Sequence, residues 1–110
     1  MGGTTENERW KVKIWNTDGT GNRYLLDLYT DFTNVLKDTI LFDAYRYGGG
    51  LGYRSPEKWK ANNCTVLTSK GLSRDEADGT KARWIIIEGE AATEEERAGI
   101  LFLSHPENRE

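Results

Sequence analysis

An all-β chain, mostly antiparallel and arranged as a β-sandwich, is what this sequence of 110 residues predicts. Three observations point there. Apolar and polar residues alternate with a period of two in several runs, the pattern of half-buried strands. Those runs are separated by short connectors rich in Gly, Asn, Asp and Thr. No stretch sustains the helical period long enough to make a long helix, and about six or seven strands fit the length.

Residues 1–8 are small and polar and are expected as a frayed terminus, leaving 9–110 as a single domain. Trp10, Val12 and Ile14 then alternate with Lys11, Lys13 and Trp15. After the turn-rich segment Asn16–Asn22 a second strand is expected over Arg23–Thr33. It has Tyr24, Leu26, Leu28, Thr30 and Phe32 on one face and Leu25, Asp27, Tyr29 and Asp31 on the other. A third strand is expected over Thr39–Arg46, completing an antiparallel meander. The run YGGGLGYRSPEKW, Tyr47–Trp59, follows. Its glycines suit a bulge, a long hairpin end or a ligand loop. Ser55-Pro56 can begin one helical turn. Thr65–Ser69 and Ala98–His105 read as strands. Arg83–Glu88, RWIIIE, reads as a strand buried on both faces, with Trp84 in the core.

Composition bounds the function. Fifteen basic and eighteen acidic residues give a formal net charge of −3, with both signs interspersed, so no strong attraction to nucleic acid or anionic membrane is expected. No apolar run approaches the ~18 residues of a membrane-spanning helix. The amino terminus carries no signal-peptide pattern, and the compartment is left open. Cys64 is the only cysteine, which excludes an intrachain disulfide, and its polar neighbours suit an inert, half-buried thiol. No cofactor motif is present, and no Cys/His spacing marks a metal site.

The residues able to do chemistry are few. His105 is the only imidazole and stands at a strand end just before Pro106, either as an acid or base or as a plain turn residue. Arg54 and Arg83 sit where strands meet loops, placed for a carboxylate or phosphate ligand or for a local ion pair. Trp59 is the tryptophan expected to be exposed and able to stack on a sugar ring. Glu57 is a carboxylate that could face His105 in space.

Four segments taken together, GGGLGYR (48–54), VLTSKG (66–71), DGTKARW (78–84) and GILFLSHPEN (99–108), resemble in order and spacing the carboxyl-terminal half of the bacterial PmoA-like family, often labelled "methane oxygenase PmoA". The earlier runs WKVKIWN and RYLLDLYTDF also suit that family's long paired strands. The resemblance implies a galactose-mutarotase-like supersandwich, of which this chain would be a part, in bacteria that degrade polysaccharides. Membrane-bound oxidation does not follow from it, because the apolar spans are missing. The pattern carries Arg54, Lys81, Arg83, His105 and Asn108 forward as motif positions. In a mutarotase-like site His105 would be the acid and Glu57 the base, with Arg54 orienting hydroxyls. Trp59, Lys81, Arg83 and Asn108 would be the other contacts to the sugar. The expected ligand is thus a small carbohydrate, processed or simply bound. Self-association through exposed strand edges is the structural alternative.

Overall fold

A computed structural model describes residues 3–4, 6–17, 19–41, 51–93 and 95–108. The chain is all-β and antiparallel, as expected: five strands and one four-residue helix are present among the described residues. It divides into two compact units, Met1–Gly50 and Leu51–Glu110.

The first unit is a two-stranded ribbon, β1 (Glu6–Trp15) against β2 (Leu25–Asn34), paired from Glu6↔Asn34 to Trp15↔Leu25. Glu6, Asn7 and Glu8, assigned above to a frayed terminus, belong to β1 because Asn34, Thr33 and Phe32 give their backbones partners. The register puts Trp10, Val12, Ile14, Leu26, Leu28 and Phe32 on one face, and all six are exposed. The other face is charged. Arg9 binds Asp31 directly across the ladder at 2.5 Å, and Trp15 Nε1 donates to Asp27 at 2.8 Å. Lys13 lies over the Trp15 ring at 3.7 Å. Such solvated pairs add little stability each. The strand expected over Thr39–Arg46 falls mostly outside the described residues, and its start, 39–41, is not in a strand. The triple glycine, Gly48–Gly50, also lies outside them.

The second unit is a meander, β3 (Cys64–Thr68), β4 (Trp84–Glu90) and β5 (Arg97–Leu103), in the order β3-β4-β5. Pairing runs Thr68↔Ile85↔Phe102 and Cys64↔Gly89↔Ala98, so Val66, Ile85, Ile87, Ile100 and Phe102 share one face. That face is covered. The Tyr53 ring meets Phe102 edge-on at 5.4 Å, and the Trp59 indole lies on Gly89. Cys64 on this face is a free thiol, buried where its polar neighbours suggested a half-buried one. The opposite face carries Leu67, Trp84, Ile86, Leu101 and Leu103, with Leu67, Leu101 and Leu103 exposed. An ion pair, Arg97 Nε to Glu88 at 3.0 Å, sits toward its far end.

Between β3 and β4 lies α1 (Arg74–Ala77). Glu76 accepts hydrogen bonds from both the backbone N–H and the hydroxyl of Ser73, each at 3.1 Å. Those two donors, the backbone one foremost, hold its carboxyl below the usual carboxylate range. Arg74 donates to the Cys64 carbonyl at 3.4 Å, placing this short helix beside the outer strand β3.

Candidate functional site

Antiparallel order gathers three chain segments at one end of the β3-β4-β5 sheet. The end of β3, the start of β4 and the end of β5 must meet there. Hydrogen bonds continue the ladder past the strands: Ser69 N–H donates to the Trp84 carbonyl at 3.0 Å, and Ser104 N–H to the Arg83 carbonyl at 2.9 Å. Arg83 N–H in turn donates to Ser69 Oγ at 2.9 Å. Arg83 is therefore fixed through its main chain on both sides.

The turn after β3 is held as firmly. Thr68 is 3% exposed, and its Oγ1 accepts the N–H groups of Lys70 at 3.3 Å and Leu72 at 3.2 Å. Its own N–H donates to the Leu72 carbonyl at 3.0 Å, while its carbonyl accepts from Gly71 at 2.9 Å. Gly71 has φ of +79°, a conformation costly to any residue with a Cβ. A buried hydroxyl and one glycine thus set the position of Ser69 and Lys70.

The resulting cleft is open, has a volume of about 850 Å³, and is lined by Ser69, Lys70, Lys81, Ala82, Arg83, Trp84, Ser104, His105 and Pro106. Among the described residues the charged side chains that line it are all cationic, and none is a carboxylate. His105 Nδ1 accepts the Glu107 N–H at 3.2 Å, so the neutral ring carries its proton on Nε2 and can donate there. Trp84, at the first position of β4, supplies an aromatic wall. Donors, hydroxyls and one indole around a groove can hold a polar ring with an apolar face, its edge hydrogen-bonded and its flat side packed.

The structure brings together three of the residues singled out from the sequence, Lys81, Arg83 and His105. Others fall elsewhere. Trp59 is not free to stack on a ligand: it is half-buried, its indole covers Gly89, and its Nε1 donates to the Glu90 carbonyl at 2.7 Å. A neighbouring clamp, Lys58 Nζ donating to the Ala91 carbonyl, ties the same segment down. Gly89 is five residues beyond Trp84 along β4, about 17 Å at ~3.3 Å per residue. Glu57 stands two residues before Trp59, in the turn closed by Trp59 N–H to the Pro56 carbonyl at 2.9 Å. It does not line the cleft, so the expected His105–Glu57 acid–base pair is not assembled. Arg54, beside Tyr53, is exposed and lies outside the lining as well. Asn108 acts at one remove, its side-chain amide donating to Ser104 Oγ at 3.3 Å and its N–H to the His105 carbonyl at 3.0 Å.

The sequence reading missed Trp84, Ser69, Lys70 and Ser104. Trp84 heads an apolar run, which reads as core, yet its place at the strand end beside Arg83 was the available signal. The serines and Lys70 lie in the segments VLTSKG and GILFLSHPEN but carry no chemical signature alone.

Among the described residues no group of His, Cys, Asp and Glu is placed to hold a metal ion, and no helix is long and apolar enough to cross a membrane. Comparison with curated proteins and with solved structures finds no match. A family described as "Family of unknown function (DUF6807)" matches residues 2–110. The match takes in both units, and the chain therefore belongs to DUF6807.

Proposed function

We propose that the cleft at the Trp84 end of the second unit binds a carbohydrate. The observation that carries this reading is the company Trp84 keeps: one half-buried indole beside His105, Arg83, Lys70 and two serine hydroxyls. The flat CH face of a pyranose would pack on the indole, and its hydroxyls would accept from the cations and from His105 Nε2–H. Ser69 and Ser104 can donate or accept as the sugar requires. The resemblance to the PmoA-like family, with its mutarotase-type sandwich, adds to the same reading. Binding is favoured over turnover because, among the described residues, the lining offers a proton donor in His105 and no carboxylate to act as its partner base.

The test is calorimetric titration of the 110-residue chain with a panel of mono- and disaccharides, repeated with His105→Ala. His105 is exposed, so its removal should leave the melting temperature within a few degrees. Loss of one hydrogen bond should weaken the bound sugar several-fold, up to about tenfold. Equal affinity in the variant, or no sugar bound by the unaltered chain, contradicts the reading.

A second reading, association between copies of the chain, is favoured by the apolar face of β1–β2, on which Trp10 is 57% and Ile14 70% exposed. A two-stranded ribbon is marginal alone in water, and a face repeated on two copies can cover itself about a two-fold axis. It predicts elution volumes that fall with increasing concentration in gel filtration. A constant monomer volume over a hundredfold range of concentration would count against it.

A further inference from the structure

We infer that the ligand of this cleft carries an anionic group, and that Lys70 and Arg83 receive it. The inference rests on the carbohydrate reading above and narrows the substrate class to sugars bearing a carboxylate or sulfate. Its starting point is a charge imbalance. The chain as a whole is acidic, with eighteen Asp and Glu against fifteen Lys and Arg. Yet Lys70 and Arg83 converge on one groove from two different turns, and among the described residues no acidic side chain lines it.

Three arginines elsewhere are occupied. Arg9 pairs with Asp31, Arg97 with Glu88, and Arg74 donates to the Cys64 carbonyl. The Arg83 guanidinium and the Lys70 ammonium have no acidic partner among the described residues, and neither contacts a carbonyl there. Both side chains hang from backbone that the structure has already fixed. Arg83 is held through Ser69 Oγ and the Ser104 N–H, and Lys70 through Thr68 Oγ1. Little main-chain ordering is then left to occur on binding, which favours a directional contact. A guanidinium presents a planar fork of donors that matches a carboxylate or sulfate, and a nearby ammonium adds a point charge. With Trp84 in the same lining, the arrangement has separate places for a sugar ring and for its acid group.

The experiment compares three ligands on the 110-residue chain by titration calorimetry at low salt: glucose, glucuronate and inorganic phosphate. Glucose and glucuronate differ only at C6, a hydroxymethyl against a carboxylate. Glucuronate is expected to bind at least tenfold tighter than glucose, and that advantage should shrink on adding salt. In the double variant Lys70→Gln, Arg83→Gln the two sugars should bind within about threefold of each other. Both side chains are exposed and their main-chain hydrogen bonds survive the change, so the melting temperature should hold.

Equal binding of glucose and glucuronate by the unaltered chain overturns the anion inference while leaving the carbohydrate reading standing. Phosphate that binds and competes as well as glucuronate, with glucose silent, supports the anion site and overturns the sugar. An advantage of glucuronate that persists in the double variant overturns the assignment to Lys70 and Arg83. No binding by any of the three overturns both readings.

Discussion

Replacing Trp59 by alanine is expected to destabilise the second unit by about 3 kcal/mol, toward the low end for a truncated aromatic because the ring is only half-buried. Two separate losses add up. The indole covers Gly89 on the central strand of the sheet's covered face, toward its Glu90 end, and its Nε1–H satisfies the Glu90 carbonyl at 2.7 Å. The reciprocal change is as informative. A Cβ on Gly89 would stand 2.5 Å from the indole Cε2, closer than any ordinary contact, so Gly89→Ala must push the ring aside. Overpacking of that kind costs about 1–3 kcal/mol. If the clash is the cause, Gly89→Ala made in the Trp59→Ala background should cost far less than in the unaltered chain. Chemical denaturation of the four members of that cycle measures it. Additive losses would mean that Gly89 is needed for some other reason.

Thr68→Val should cost about 1–3 kcal/mol although it keeps the shape of the side chain. The hydroxyl is the acceptor for two backbone N–H groups, those of Lys70 and Leu72, inside a turn whose Thr68 is almost fully buried. Valine leaves both donors short of a partner, whereas Thr68→Ser keeps the acceptor and should recover most of the loss. For a unit of this size each kcal/mol corresponds to roughly 4–8 °C in melting temperature. The same change should also weaken ligand binding in the cleft, because Lys70 takes its position from that hydroxyl. A Thr68→Val chain that melts like the parent would show the turn to be held by Gly71 and the backbone alone.

How much of this was legible in the sequence depends on the distance over which a residue finds its partners. The ribbon was readable because alternation is local: Trp10, Val12 and Ile14 declare one face of β1, and Leu26, Leu28 and Phe32 declare the matching face of β2. Cys64–Thr68 and Arg97–Leu103 fell within a residue or two of the runs expected, since turn residues bracket them. The grouping of Lys81, Arg83 and His105 was foreshadowed by two of the quoted segments, and antiparallel pairing explains why strand ends so far apart in sequence meet.

Trp59 shows the limit. Nothing around Trp59 in the chain says that a glycine thirty residues later leaves room for its indole, so a tryptophan in a polar loop read as exposed. Trp84 shows the converse. An apolar run predicts burial residue by residue, but the first residue of the central strand sits at the sheet's end, where a cleft can open beside it. Glu57 was a choice by residue type, and the clamp formed by Lys58 and Trp59 on the Glu90–Ala91 end of β4 puts its segment away from His105.

The most direct measurement is a titration of a sugar acid such as glucuronate followed through the indole N–H resonances of the ¹⁵N-labelled chain. The four tryptophans give four signals. Trp84 in the cleft should shift progressively with ligand, and Trp59, bonded to the Glu90 carbonyl at the other end of β4, should stay in place. A Trp59 signal that moves while Trp84 stays fixed, or four signals that stay fixed at saturating ligand, would contradict the placement of the binding site.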